Sequence, residues 1–73
     1  MQRAPKHRRI LGESIRRHRK VAGLSQERLA EKAGLSPVFI SRVECGKETI
    51  SVDAIKRIAS ALRIKLRKLF WEI

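Results

Sequence analysis

Three serines mark the starts of helices along this chain. The hydroxyl oxygen of a serine placed just before a helix accepts a hydrogen bond from one of the first backbone N–H groups. Each serine is preceded by an apolar residue and followed, at the fourth helical position, by another, which is the hydrophobic-staple pattern. The serines are Ser25, Ser36 and Ser51, and the apolar pairs are Leu24 with Leu29, Leu35 with Ile40, and Ile50 with Ile55. Three such starts in one short chain predict closely spaced helices.

Apolar residues also recur at helical spacing through the rest of the chain, with little of the alternation that predicts strands. A first helix carries a stripe that ends before Gly23 and consists of Leu11, Ile15, His18 and Ala22. A fourth helix follows Ser51 with Ile55, Ile58, Ala59 and Leu62 inward, and a short fifth lies within 66–72. We therefore predict an all-α fold, a compact four- to five-helix bundle that forms one domain over residues 10–73. On that stripe His18 is expected to be partly buried and hydrogen-bonded rather than a ligand.

Residues 1–9, MQRAPKHRR, combine dense positive charge with no hydrophobic periodicity. They are interpreted as a basic flexible arm that precedes the domain. Basic arms of some DNA-binding proteins follow the backbone or enter a groove. The other interpretation is a tail that adds only general attraction.

The charge balance limits the classes of partner. The chain has 18 Lys and Arg against 7 Asp and Glu, a net charge of +11 on 73 residues. Such a charge favours a polyanion, with a phosphate backbone first and an anionic membrane surface second. No apolar run approaches the roughly 18 residues of a membrane span, and the basic N-terminus lacks the apolar stretch of a secretory signal. We expect a cytoplasmic protein without a membrane partner.

Few residues of this chain are suited to catalysis or metal binding. Cys45, His7 and His18 are scattered without the spacing of metal ligands. A single cysteine cannot form an internal disulfide, and no pattern for an activated nucleophile is present. We therefore expect no catalytic residues, no metal, no cofactor and no small-molecule ligand. The protein is interpreted as a binding module and not as an enzyme.

The join between the second and third helices is the most informative segment. Only Gly34 and Leu35 separate the second helix from the Ser36 cap. So short a join forces a sharp crossing of the two helices, as in a helix-turn-helix. Gly34 can adopt the positive φ that ends the second helix, and the small Ala30 allows close approach. The spacing of these residues with Gln26, Ile40 and Val43 predicts a helix-turn-helix.

Residues 11–70 resemble the phage-repressor-like helix-turn-helix domains of the Cro and Xre type. The resemblance is carried by SQERLAEKAGLS, by ISRVECGK and by the closing ISVDAIKRIASALRI with its LF. It implies a lambda-repressor-like fold that binds double-stranded DNA, usually as a two-fold dimer on inverted half-sites. The closing segment is most similar to restriction–modification controller proteins. A phage or mobile-element repressor and an antitoxin-like autorepressor are the other settings that the resemblance allows.

Residues 36–45 are the expected recognition helix in the major groove. On a helical wheel Phe39, Ile40 and Val43 point toward the protein, whereas the opposite face holds Pro37, Val38, Ser41, Arg42 and Cys45. Short side chains let a helix sit deep in the groove, where Arg42 can bind guanine O6 and N7 and Val38 can touch a thymine methyl. The resemblance implies base contacts by Ser36, Pro37, Val38, Ser41 and Arg42. The alternative for Arg42 is a solvated surface side chain. For Cys45 the two interpretations are a redox switch on the DNA face and an exposed thiol without a role.

Two other pairs of residues have expected roles. Gln26 opens the second helix, where its side chain and free backbone N–H groups can bind a phosphate, and Lys47 is a second phosphate contact. The family often has an arginine where Cys45 stands, so one phosphate contact is expected to be missing. The resemblance also implies a shielded structural ion pair between Arg19 and Glu44.

The C-terminal segment is more apolar than one small domain can easily cover. It contains Leu66, Leu69, Phe70, Trp71 and Ile73. Because exposed apolar patches often mark interfaces, these residues are predicted to form a homodimer interface. The net charge of each copy opposes this association until salt or DNA screens it.

The sequence leaves two principal hypotheses of function. The first is a sequence-specific, duplex-DNA-binding transcriptional regulator, either a repressor or an activator. The alternative is a non-specific basic protein that binds RNA or DNA; the charge supports it, but single-strand binders stack bases on aromatic side chains, which are few here. A membrane-active basic peptide is compatible with the amphipathic stripes, although it would not need capped helices joined by tight glycine turns.

Overall fold

The computed structural model describes residues 6–70, and all of their regular secondary structure is helical. The helices are α1 (Lys6–Val21), α2 (Gln26–Ala33), α3 (Pro37–Glu44), α4 (Val52–Leu62) and α5 (Leu66–Leu69). The predicted all-α fold of four to five helices is confirmed, and this part of the chain has five. The predicted helix starts at Gln26, Pro37 and Val52 agree with the observed ones.

The three serines cap their helices as expected. Each hydroxyl oxygen accepts a hydrogen bond from the backbone N–H three residues later. The bonds run from Arg28 to Ser25 at 3.0 Å, from Phe39 to Ser36 at 3.0 Å, and from Ala54 to Ser51 at 3.1 Å. Every cap backbone is extended, so the chain enters each helix from a sharp corner.

Helix α1 begins earlier than the sequence pattern indicated. Residues 6–9, which were expected to belong to the flexible arm, form the first turn of α1, while residues 1–5 lie outside the described residues. The early start has a physical reason, because this turn packs on the loop after α3. A Cβ added to Gly46 would stand 3.0 Å from Cγ of Arg9 and 3.2 Å from its Cα. The spacing of apolar residues could not predict this contact, because it is made by the backbone and the side-chain Cγ of Arg9.

The buried face of α1 also differs from the predicted stripe. Leu11 and Ile15 are buried, but Ala22 is exposed beyond the end of the helix and His18 is half-buried. The remaining buried residues of α1 are Gly12, Ser14 and Arg19. Nδ1 of His18 lies 2.8 Å from the carbonyl oxygen of Ser14, so His18 is partly buried and hydrogen-bonded.

The core lies where α2 and α4 pack together, with α3 against α2 and α1, and α5 against α4 and α1. Its fully buried large side chains include Ile15, Leu29, Ile40, Ile58 and Leu69. The four residues predicted to face inward on α4 are all buried: Ile55, Ile58, Ala59 and Leu62. One core of this kind stabilises all five helices.

Each of the first four helices is followed by a residue in the left-handed conformation, which is Gly23 after α1, as predicted, Gly34 after α2, Gly46 after α3 and Arg63 after α4. Gly34, at φ 69°, ends α2, and the N–H of Leu35 then bonds to the carbonyl of Ala30 at 2.9 Å. Arg63, at φ 58°, ends α4 in the same way, with the N–H of Ile64 bonded to Ala59. Glycine has no side chain to clash in this conformation, whereas arginine has a Cβ. The tight turn at Gly34 sets the angle between α2 and α3.

Candidate nucleic-acid interface

One side of α3 is fixed to the protein. Ile40 is completely buried and Val43 is 3% exposed. Glu44, at the end of the helix, is buried as well. Phe39 is half-buried and packs on the edge of the core, in agreement with its predicted orientation. These contacts leave the opposite side of α3 as a surface that the helix presents outward.

That outward side holds the residues predicted to contact bases. Val38 is 68% exposed, Pro37 and Arg42 are exposed, and Ser41 is half-buried. Ser36 is also exposed, although its hydroxyl oxygen serves as the helix cap. Cys45 follows α3 as a free, exposed thiol. Short side chains therefore surround a single long arginine on this face, as the sequence predicted.

Arg42 has intramolecular partners that the sequence did not predict. Its Nε donates a hydrogen bond to a Glu48 carboxylate oxygen at 2.8 Å, and its Nη2 lies 3.3 Å from the carbonyl oxygen of Lys47. A tight turn makes this possible, because the N–H of Lys47 bonds back to the carbonyl of Arg42 at 2.9 Å. The glycine at position 46, with φ 72°, was the available signal that the chain returns toward α3.

Arg19 and Glu44 form a buried ion pair between α1 and α3. Nε of Arg19 lies 2.6 Å from one carboxylate oxygen, and Nη2 lies 3.0 Å from the other. Nη1 donates to the carbonyl of Leu24 at 2.8 Å. The hydrogen bonds to Glu44 raise the pKa of Arg19 and outweigh its desolvation by burial. This bidentate geometry holds the end of α3 to α1.

Gln26 joins the same network. Its side-chain N–H donates to the Glu44 carboxylate at 3.1 Å, and the side chain is half-buried at the first position of α2. Glu44 therefore links α1, α2 and α3. The structure gives Gln26 a partner inside the protein that sequence reasoning missed, and its contact with a phosphate stays a prediction.

The second predicted phosphate contact, Lys47, is exposed immediately after the turn that follows α3. Its backbone is held on both sides, because its N–H and its carbonyl oxygen both bond to Arg42. The backbone that carries the Lys47 side chain is thus held close to Arg42 on the outward side of α3. Its contact with DNA also stays a prediction.

The predicted dimer interface needs a correction at Leu69. Leu69 is completely buried in the core, so its side chain offers no surface to a second copy. Helix α5 turns Leu69 toward α4 and α1, and Leu66 is partly buried against the same core. Phe70 keeps 39% of its surface exposed. Trp71 and Ile73 lie outside the described residues.

Residues 6–70 bring together no group of three or more His, Cys, Asp or Glu side chains that could hold a metal ion. In the same part of the chain, no helix is both long and apolar enough to cross a membrane.

The sequence profile of a helix-turn-helix family matches residues 15–69, which include both helices of the motif and its supporting core. The chain belongs to this helix-turn-helix family. The predicted resemblance to Cro- and Xre-type domains is confirmed by this match. No curated protein matches the sequence at a significant level.

Several solved structures are similar to this chain in fold. The restriction-modification controller protein C.AhdI from Aeromonas hydrophila is 38% identical, with a TM-score of 0.85 over 86% of this chain and 96% of that chain. The clp gene regulator ClgR from C. glutamicum is 28% identical, with a TM-score of 0.87 over 93% and 88%. A hypothetical transcription factor, NHTF, from Neisseria is 30% identical, with a TM-score of 0.84 over 94% and 83%.

Proposed function

We propose that this helix-turn-helix protein is a sequence-specific transcriptional regulator that places α3 in the major groove of duplex DNA. The observation that carries the proposal is the division of α3 into two sides. Ile40, Val43 and Glu44 are buried, whereas Val38 and Arg42 are exposed among short side chains. A helix anchored on one side and slim on the other fits the roughly 12 Å width of the major groove.

Each predicted contact has a chemical role in this proposal. Arg42 reads guanine through two parallel N–H bonds, and Val38 packs against a thymine methyl. Pro37 and Ser41, with Ser36 at the cap, fit closely against base edges. Gln26 and Lys47 anchor the phosphate backbone on either side of α3. The net charge of +11 adds sequence-independent attraction.

The proposed assembly is a homodimer on an inverted repeat. One domain reads few base pairs, which is too little information to select one site among about a million or more in a genome. Two copies related by a two-fold axis double the number of base pairs that are read. The C-terminal end, with the exposed part of Phe70 and the sequence that follows it, is the proposed contact surface. The similarity to C.AhdI favours a restriction–modification controller over a phage repressor.

Selection of binding sites from a random duplex-DNA pool tests this proposal. We expect a two-fold symmetric consensus, and a preference of at least about a thousandfold for the selected site over random duplex. Recovery of no consensus, with equal affinity for all duplexes and for RNA, would instead establish the non-specific nucleic-acid binder. The stoichiometry of the complex, measured by sedimentation, separates a dimer on each site from a single copy.

A further inference from the structure

The ion pair between Arg42 and Glu48 stands out because it occupies the side chain proposed to read a base. Nε of Arg42 is bonded to Glu48, and Nη2 approaches the carbonyl of Lys47. The sequence interpretation assigned no role to Glu48. We propose that Glu48 is a specificity-determining positioning residue, which aims Arg42 at a guanine and discourages its contact with phosphate. This inference rests on the proposed function of α3.

The geometry of the guanidinium supports the first part of the proposal. The group is planar and has two usable edges, one formed by Nε and Nη2 and the other by Nη1 and Nη2. The bond to Glu48 takes the Nε end of the first edge. The second edge points away from the Arg42 stem. Because Nη2 has two N–H groups, it can donate to the Lys47 carbonyl with one and, together with Nη1, form two parallel bonds to guanine O6 and N7 with the other. Glu48 therefore favours an end-on approach of Arg42 to the base.

The ion pair with Glu48 also reduces the conformational freedom that the Arg42 side chain loses when it binds DNA. A free arginine loses considerable side-chain freedom when it is immobilised. Arg42 is already held in the unbound protein at two points, by the Glu48 carboxylate and by the carbonyl of Lys47. Holding a group in its binding geometry beforehand raises affinity for the partner that fits that geometry. The gain applies to a correctly placed guanine and not to other base pairs.

The negative charge of Glu48 supports the second part of the proposal, which is that Glu48 discourages contact between Arg42 and phosphate. A carboxylate beside Arg42 weakens the attraction of that guanidinium for a phosphate and repels the phosphate itself. Specificity rises when the wrong partner meets repulsion, even if the right partner gains nothing. Exposed ion pairs contribute little to folding stability, and half of the Arg42 side chain and a third of the Glu48 side chain are exposed. The position of this pair against the recognition face gives it a role in binding.

The test measures the preference between DNA duplexes in four proteins: wild type, Glu48→Gln, Arg42→Ala and the double variant. Each is titrated against the selected site, the same site with the Arg42-contacted guanine replaced, and a random duplex. We expect Glu48→Gln to lower the preference for the guanine site by roughly threefold to tenfold, a typical coupling for residues in contact. The affinity of Glu48→Gln for random duplex should rise. In the Arg42→Ala background the same substitution should leave the preference unchanged.

Glu31→Gln is the matched control, because Glu31 forms an exposed ion pair with Arg28 on α2 and the substitution removes the same charge. It should alter affinity for all three duplexes by a similar factor. Nitrogen-15 NMR of the Arg42 Nε–H supplies a readout without DNA, and this proton should exchange faster with water in Glu48→Gln. An unchanged preference in Glu48→Gln, or an equal change in the Arg42→Ala background, overturns the inference. Wild-type protein without any preferred site overturns the proposed function itself.

Discussion

Gly12 on α1 lies directly against the backbone at the end of α3. A Cβ added to Gly12 would overlap the carbonyl oxygen of Val43 and stand 2.8 Å from that of Glu44. Both approaches are closer than real Cβ contacts, and both neighbours are backbone atoms that cannot rotate away. The absence of a side chain at Gly12 therefore sets how closely α1 approaches α3.

Gly12→Ala should destabilise the protein by about 1–3 kcal/mol, the usual cost of overpacking a close contact. The sign is informative, because glycine to alanine inside a helix normally stabilises by roughly 0.5–1 kcal/mol. Denaturant unfolding gives the free energy directly. Glu13→Ala, at the exposed neighbouring position, is the control and should change stability little. A Gly12→Ala protein as stable as wild type would contradict the close approach of α1 and α3.

Glu44→Ala should cost about 3–5 kcal/mol of stability, because it strands the buried Arg19 charge. Replacing both partners, as Arg19→Met with Glu44→Leu, should recover much of that loss. Gln26→Ala removes one hydrogen bond to the same carboxylate and should cost only about 1 kcal/mol. Thermal and denaturant unfolding of the wild type and these three variants measure how far the contributions of Arg19 and Glu44 depend on each other. Equal losses in the single and double variants would show that the pair does not act as a unit.

The raised pKa of Arg19 sets the pH range over which its charge stabilises the fold. A group whose pKa is raised by folding contributes stability at every pH below its unfolded pKa, and this contribution is lost only above it. We therefore expect the Arg19 contribution to be constant between about pH 6 and pH 10, since the group stays protonated there. The difference in unfolding free energy between wild type and Arg19→Met should be flat across this range.

Arg63→Gly should stabilise the protein by about 1 kcal/mol, because Arg63 holds the left-handed conformation that glycine adopts without strain. Arg63→Ala separates the side chain from the backbone: it removes the charge but keeps the Cβ, and should bring no such gain. Melting temperatures at two salt concentrations distinguish strain from charge repulsion. A gain of equal size in both variants would assign the effect to the charge.

Arg42→Ala should weaken binding to the preferred site by roughly 1–3 kcal/mol and relax selectivity at one base pair in each half-site. Lys47→Ala should instead weaken binding to all duplexes similarly and lower the salt dependence by about one released counterion. Competition titrations at several salt concentrations measure both. If Arg42→Ala weakens specific and random duplex equally, Arg42 is only an electrostatic contact.

The proposed homodimer contact at the C-terminal end can be tested with two adjacent residues that differ in burial. Leu69→Ala should lower stability by about 2–5 kcal/mol, as for a large core side chain. Phe70→Ala should leave the fold intact, loosen the dimer and reduce affinity for the two-fold site. Sedimentation at moderate salt compares the dimer in wild type and Phe70→Ala. A wild-type protein that remains monomeric, with one copy on each site, would remove the dimer from the proposal.

Local signals in the sequence account for much of this fold. The helix starts at Ser25, Ser36 and Ser51 depend on residues within four positions of each cap, so they could be predicted from spacing alone. The start of α1 could not, because its first turn packs through Arg9 against Gly46, far along the chain. The inward sides of α3 and α4 followed from helical periodicity.

The candidate site on α3 could be predicted in part, because helical periodicity shows which side of the helix is buried. Which side of α3 faces outward follows from the positions of Ile40 and Val43. The hydrogen bonds from Gln26 to Glu44 and from Arg42 to Glu48 depend on how loops bring side chains together in space. The ion pair of Arg19 with Glu44 was implied by resemblance to a family, since nothing in their spacing relates α1 to α3.

The two-sided construction of α3 makes this protein suited to the evolution of new targets. Residues that attach α3 to the rest of the molecule, Ile40, Val43 and Glu44, are different residues from those on its outward side. If α3 binds DNA as proposed, substitutions at Val38, Ser41 or Arg42 change which DNA sequence is preferred while the fold keeps its stability. A duplicated copy of the gene could acquire a separate set of operators through a handful of surface mutations.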